Sequence, residues 1–169
     1  MTHLPGYSPA EFRRVLSSFP TGVTAVAACV GGHPLGMTAS SFTSVSLHPP
    51  IVSVCVGHGS TTWPRLRSAS RLGISVLAAD QEEACRRLAS PAADRFADLA
   101  WHARPGGAVL LAGASAWLEC SVARAVTVGD HDVIMLDVHE LGGDPAVAPL
   151  VVHSSRYRRL ASDQQAPEP

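Results

Sequence analysis

Six of the ten residues from Met37 to Ser46 (MTASSFTSVS) carry a hydroxyl, although the surrounding chain has the apolar spacing of β-strands. A strand with a purely structural duty fills such positions with Val, Ile and Leu, so a run of short donors and acceptors points to a polar ligand or to a solvent-facing edge. The next apolar run, Ile51 to Val56, opens into Gly57-His58-Gly59-Ser60-Thr61-Thr62. There the hydroxyls of Ser60, Thr61 and Thr62, with backbone amides at the start of a predicted helix, could hold a phosphate. The same three residues also read as an ordinary helix cap.

His131 is the best single candidate for substrate contact. It lies in the tight turn Gly129-Asp130-His131-Asp132 between two predicted strands, where a side chain projects to solvent or into a neighbouring cleft. The remaining histidines have no metal-ligand spacing, and no metal site is expected.

Other chemistries lack their residues. All 13 basic residues are Arg and lysine is absent, which removes Schiff-base, Walker A and Ser-Lys chemistry. No G-x-S-x-G elbow is present, and the order of Ser, His and acidic residues specifies no triad. Gly57-x-Gly59 has no third glycine and follows no βα unit, so any nicotinamide must bind without a Rossmann fingerprint. Thirteen Arg balance 14 acidic residues and no basic run exceeds two, so no nucleic-acid partner is expected. The N-terminus does not read as a signal peptide and no apolar run approaches a membrane span, which suggests a soluble, cytoplasmic protein. Cys29, Cys55, Cys85 and Cys120 sit in apolar segments without C-x-x-C spacing and are expected to be reduced thiols, mostly buried.

A chain of 169 residues suits one domain, here 1–160, with the polar tail 161–169 expected to be disordered. Ser8-Pro9-Ala10-Glu11 is a capping box that opens a short helix ending near Pro20. Strands follow at 23–30, 35–43 and 51–56 as an antiparallel meander. Within 35–43, Thr38, Ser40 and Phe42 would share one face and Met37, Ala39, Ser41 and Thr43 the other, so both faces carry polar groups. A helix from Thr62 to about Ser70, a strand at 72–77 and a helix at 80–89 capped by Asp80 come next. The stretch 105–114 reads as Gly-rich loop. Strands at 116–128, 133–141, 150–153 and 157–160 complete a mainly β fold, which argues for a closed antiparallel barrel with short peripheral helices.

Phe19-Pro20-Thr21-Gly22-Val23, Gly36-Met37-Thr38-Ala39-Ser40-Ser41-Phe42, Pro49-Pro50 before a strand, Asp94-Arg95-Phe96 and Gly129-Asp130-His131 together resemble the flavin reductase family in order and spacing, over roughly residues 9–160. The resemblance implies a Greek-key-like, flavin-binding split β-barrel acting as a homodimer. It also implies reduction of free FAD or FMN by NADH or NADPH, with hydride passing from nicotinamide C4 to flavin N5, for delivery to a partner flavin-dependent monooxygenase. By motif, Met37, Thr38, Ser40 and Ser41, with Ala39 between them, would line the flavin ring and ribityl chain, and Cys55 and Val56 would offer backbone contacts. Ser60, Thr61 and Thr62 would take the phosphate, Arg95 and Phe96 would close over the phosphate or adenylate end, and His131 would touch the nicotinamide. Tyr157 is a further candidate. Without lysine, phosphate neutralisation falls to amides, hydroxyls and Arg95. Other readings of the same barrel are a non-catalytic flavin- or haem-binding protein and an oxidase that keeps its flavin bound.

Overall fold

The computed structural model describes residues 6–91 and 94–160. The expected tail, 161–169, lies outside them. The chain opens with helix α1 (Pro9–Leu16), whose capping box forms as read: the Glu11 amide donates to Ser8 Oγ at 3.2 Å and the Ser8 amide to Glu11 Oε2 at 2.7 Å. Strands β1 (Thr21–Gly22), β2 (Thr24–Val30), β3 (His33–Ala39), β4 (Thr43–Leu47) and β5 (Pro50–Gly57) follow, then the one-turn helix α2 (Trp63–Leu66) and strand β6 (Leu72–Val76). Helix α3 (Glu82–Ala89) leads to the short strands β7 (Trp101–Ala103) and β8 (Val109–Leu111). The long hairpin β9 (Ala116–Val128) and β10 (His131–Gly143) precedes β11 (Val151–His153) and β12 (Arg156–Arg158).

Seven strands form one antiparallel sheet in the order β3-β2-β6-β9-β10-β5-β4. This corrects the expected meander. β3 and β4 are consecutive in the chain yet occupy opposite edges, joined only by Ser40-Ser41-Phe42. Six strand spacings in a flat sheet would separate those edges by about 29 Å, whereas the link from Ala39 to Thr43 spans about 14 Å at full extension. The sheet must therefore curl enough to bring Ala39 and Thr43 within that reach. Ser41 fastens the seam: its hydroxyl accepts from the Cys55 amide at 2.8 Å and donates to the Cys55 carbonyl at 3.2 Å.

The strand read as 35–43 is thus two strands with a corner between them, and the two-faced alternation holds only to Ala39. The alternation pattern alone cannot reveal a corner, because Ser-Ser-Phe is compatible with extended backbone throughout.

Two apolar clusters sandwich β2. Val26 and Ala28 join Val54, Leu66, Leu72, Ile74 and Ile134 on one face, while Ala25 and Ala27 join Leu77, Leu88, Phe96, Val109 and Leu150 on the other. A strand covered on both faces reads as a continuous apolar run, as 23–30 does. The second cluster also corrects the reading of 105–114 as loop. Val109, Leu110 and Leu111 are fully buried in β8, which pairs with β7 and packs so tightly on β6 that a Cβ at Gly73 would stand 2.0 Å from the Val109 carbonyl. Three residues between Pro105-Gly106-Gly107 and Gly113 are too few to show a period, so only packing reveals this strand. At α3 the N-cap is Gln81 rather than Asp80, and the Gln81 side chain ties the Ala78 amide to the Ala112 carbonyl.

Candidate functional site

The corner between β3 and β4, the loop after β5 and the segment 94–96 come together. Between the first half of β3, the loop leading into α2 and that segment lies a cavity of about 270 Å³, walled by Leu35, Gly36, Thr61, Thr62, Arg65 and Arg95 among others. Phe96 closes one side. It is buried and presses on β3 so closely that a Cβ at Gly36 would sit 2.8 Å from its Cζ, which explains the glycine ahead of Met37. Asp94 shapes the turn by accepting the Phe96 and Ala97 amides on one carboxylate oxygen, each at 3.0 Å.

The hydroxyls divide into two groups. Three are committed to the protein. Ser41 bridges the Cys55 amide and carbonyl, Ser60 accepts the Trp63 amide at 3.1 Å and leans on Met37 Sδ at 3.9 Å, and the buried Thr62 accepts a hydrogen bond from Arg95 at 2.9 Å. The side-chain hydroxyls of Thr38, Ser40 and Thr61 have no partner among the described residues, nor do the amides of Thr61 and Thr62. Those are the groups left to meet a ligand.

Arg95, which lines this cavity, also holds the fold together. Its Nη1 donates to the Gly36 carbonyl (3.2 Å), Thr62 Oγ1 (2.9 Å) and the Leu88 carbonyl (3.3 Å), pinning β3, the loop before α2 and the end of α3 together. The cation that lines the same cavity with its guanidinium unpartnered among the described residues is Arg65, on α2. Sequence reasoning missed Arg65; its place one helical turn after Thr61 was the available signal.

At the other end, His131 is the first residue of β10, paired with Gly57, and the turn itself is the two residues Gly129-Asp130 with Gly129 at φ +62°. The ring lies against Gly57, 3.3 Å from where a Cβ would be, so glycine makes room for it. His131 Nδ1 pairs with Asp130 Oδ1 at 2.7 Å, directing Nε2 away from that carboxylate. The hydrogen bond from His131, followed by its charge, holds the Asp130 carboxyl below its ordinary value. His58 and Asp132 fix the neighbouring loop: the His58 amide donates to the Asp130 carbonyl at 2.9 Å, His58 Nε2 meets Asp132 Oδ1 at 3.0 Å, and Thr127 donates to the same oxygen at 2.7 Å. Hydrogen bonds from Thr127 and then His58 hold Asp132 below the usual carboxylate range.

The structure thus joins Met37 to Ser60, Ser41 to Cys55, Thr62 to Arg95, and His131 to the loop leading from Val56 to Ser60. Thr38, Ala39 and Ser40 extend from the same corner, with Ala39 buried and its carbonyl accepting the Thr24 hydroxyl. Tyr157 is placed elsewhere: it packs on α3, its hydroxyl donating to Cys85 Sγ at 3.3 Å under the Arg86 guanidinium, and its own pKa is pushed up to about 12, chiefly by the bond to Cys85.

The flavin reductase like domain family matches residues 16–161. The chain belongs to the flavin reductase family. It is 43% identical, over 90% of its length and 86% of the relative's, to an NADH-dependent FAD reductase of Streptomyces globisporus. It is 33% identical, over 95% of its length and 83% of the relative's, to the reductase subunit of a flavin-dependent monooxygenase of Rhodococcus jostii. Among solved structures, an NADH:FAD oxidoreductase of Streptomyces globisporus in complex with NAD and FAD fragments superposes with a TM-score of 0.88 at 40% identity, covering 95% of this chain and 99% of that one. In this flavin reductase family member the expected motifs at Gly36–Phe42, Asp94–Phe96 and Gly129–His131 each meet the loop after β5, through Met37 at Ser60, Arg95 at Thr62 and His131 at Gly57, although the chain separates them by tens of residues.

Proposed function

We propose that the chain is an NAD(P)H-dependent flavin reductase that passes reduced FAD or FMN to a partner flavin-dependent monooxygenase. The observation that carries this reading is the division of the polar groups: those at Thr61 and Arg65 are uncommitted and line the cavity at α2, and those at Thr38 and Ser40 are uncommitted at the end of β3 and in the corner that follows it. The donor set fits a flavin phosphate, with one free guanidinium, a hydroxyl and backbone amides. Thr38 and Ser40, beside Met37, would hold the ring and ribityl chain, while Cys55 and Val56 shape the adjacent strand. The Cys55 backbone is already engaged by Ser41, so its part is to place that hydroxyl.

Bound flavin supplies the hydride acceptor, and reduced nicotinamide the donor. The chain supplies position. His131 presents Nε2 beside Gly57 with its other nitrogen anchored on Asp130, a geometry suited to orient a nicotinamide amide against the flavin face. No residue needs to act as a strong acid or base, consistent with a site of neutral hydroxyls, amides and one free cation. Such a site binds without many charged clamps, which suits release of the product to a second protein.

The curled sheet, with β3 and β5 meeting at the Ser41 seam but sharing no ladder, supports a split β-barrel. Outward-facing Phe12, Val15 and Leu16 on α1 and Val45 and Leu47 on β4, each about half exposed or more, support a homodimer. Among the described residues no helix is long and apolar enough to cross a membrane, and four free thiols suit the cytoplasm. The decisive test is NADH or NADPH oxidation by purified protein with and without added FMN or FAD. Consumption should require flavin, and His131→Ala should raise the nicotinamide KM about tenfold with little change in flavin Kd; equal loss of both affinities contradicts the role given to His131.

A further inference from the structure

The loop between β5 and α2 carries polar groups left for a phosphate, and little backbone pairing holds it. The His58 amide donates to the Asp130 carbonyl at 2.9 Å and extends the ladder with β10 one rung past Gly57. Beyond it the Ser60 amide turns back on the Gly57 carbonyl at 3.0 Å, and a Cβ at Gly59 would meet no heavy atom within 4 Å. Among the described residues three side chains anchor the loop to other elements: His58 Nε2 at Asp132 Oδ1 (3.0 Å), Ser60 Oγ at Met37 Sδ (3.9 Å) and Thr62 Oγ1 at Arg95 Nη1 (2.9 Å). Only the first of these reaches the hairpin that carries His131. Thr61, whose hydroxyl and amide have no partner among the described residues, lies between the anchors.

Asp132 is an acceptor prepared for that contact. It pairs with Val56 of β5 on one side and Thr127 of β9 on the other, and the Thr127 hydroxyl donates to the same Oδ1 at 2.7 Å, which fixes the carboxylate in a row across three strands. Hydrogen bonds from Thr127 and then His58 hold its pKa below the ordinary value, with a smaller push from the Arg67 charge. Neighbouring residues of a strand point to opposite faces, so Asp132 and His131 leave β10 on opposite sides, one toward His58 and the other against Gly57. His58 does not itself line the cavity at α2. Resting on the reading of the chain as a flavin reductase, we propose that His58 is a positioning residue: through Asp132 it fastens the phosphate loop to the hairpin of His131 and so sets where Thr61 meets the flavin phosphate. The pair is partly exposed, 45% for the His58 side chain and 23% for that of Asp132, so its effect is that of a surface contact.

Titration of the intact protein with FMN and with riboflavin, followed by flavin fluorescence, tests this. His58→Ala should weaken FMN binding about two- to fivefold, the range open to an exposed ion pair, with little change for riboflavin, which has no phosphate. Asp132→Ala should cause the same loss, and the double variant should lose no more than either single one. Charge by itself predicts the opposite sign for Asp132→Ala, because removing a carboxylate from beside the loop favours a phosphate. His58→Gln keeps a neutral donor near the place of Nε2 and should restore most of the FMN affinity. The proposal is overturned if Asp132→Ala leaves FMN affinity unchanged or raises it, if the two losses add, if His58→Gln binds as weakly as His58→Ala, or if riboflavin is lost as strongly as FMN, which marks a general disturbance of the fold. Failure of the parent to bind either flavin instead overturns the reductase reading itself.

Discussion

Replacing Arg65 by Gln should weaken FMN binding about 5- to 30-fold while moving the melting temperature by no more than about 1 °C; replacing Arg95 by Gln should first unsettle the fold. The two guanidiniums border one cavity but meet different partners. The Arg65 guanidinium has no partner among the described residues and the residue is exposed, so loss of the side chain's charge costs the folded state little, as for most surface substitutions. A hydrogen bond between an exposed cation and a phosphate is worth about 1 to 2 kcal/mol, which sets the affinity range. Arg95 shares the two hydrogens of Nη1 among the Gly36 carbonyl, the buried Thr62 hydroxyl and the Leu88 carbonyl. Losing about two charge-assisted bonds costs on the order of 3 kcal/mol, or about 6 to 12 °C in a domain of this size. Calorimetry without ligand gives the melting shifts, and fluorescence titration with FMN and with riboflavin gives the affinities. Riboflavin lacks the phosphate, so the Arg65→Gln penalty should vanish with it. An Arg65→Gln protein that loses riboflavin as strongly as FMN, or an Arg95→Gln protein with an unchanged melting temperature, refutes the division.

Ser41→Ala removes the hydroxyl that spans the seam and leaves the Cys55 amide and carbonyl unpaired, so urea unfolding should show a loss of about 1 to 3 kcal/mol. Gly36→Ala would drive a methyl to 2.8 Å from Phe96 Cζ and 3.0 Å from Ala27 Cβ; about 1 to 3 kcal/mol of destabilisation should accompany weaker flavin binding as Phe96 shifts, both readable by titration. Asp130 and Asp132 bind protons less readily folded than unfolded, through His131 in the first case and Thr127 with His58 in the second. Their contribution is therefore complete at neutral pH and lost as pH falls below about 4. Denaturation midpoints between pH 6 and 3 should fall more steeply for the parent than for an Asp130→Asn, Asp132→Asn double variant, and parallel curves would argue against these pairings.

Much of the local structure around the candidate site was legible in the residues because it depends on near neighbours. The Ser8 capping box, the hydroxyl run after Gly36, the Ser60-Thr61-Thr62 loop and the two-strand hairpin at His131 each depend on near neighbours, and each forms where its residue types require. Other features depend on partners distant in the chain. Whether a serine is free or spent cannot be read from its type: Ser41 is taken by Cys55, while Ser40 beside it has no partner among the described residues. Arg65 and Arg95 look alike in sequence and differ only in what folds around them. Trp101 and the buried strand at Val109–Leu111 gave no periodic signal, being three-residue strands whose burial comes from the layer packed upon them.

The amino-acid sequence by itself determined the chemistry available to this chain, because residue types and their short-range spacing set which groups exist: hydroxyls, amides and arginines, with no lysine. Tertiary structure alone decided which of those groups remain for a ligand. The link from β3 to β4 holds Ser41 on Cys55 and brings together segments separated by tens of residues, and each hydrogen bond made there withdraws a polar group that a ligand could otherwise meet.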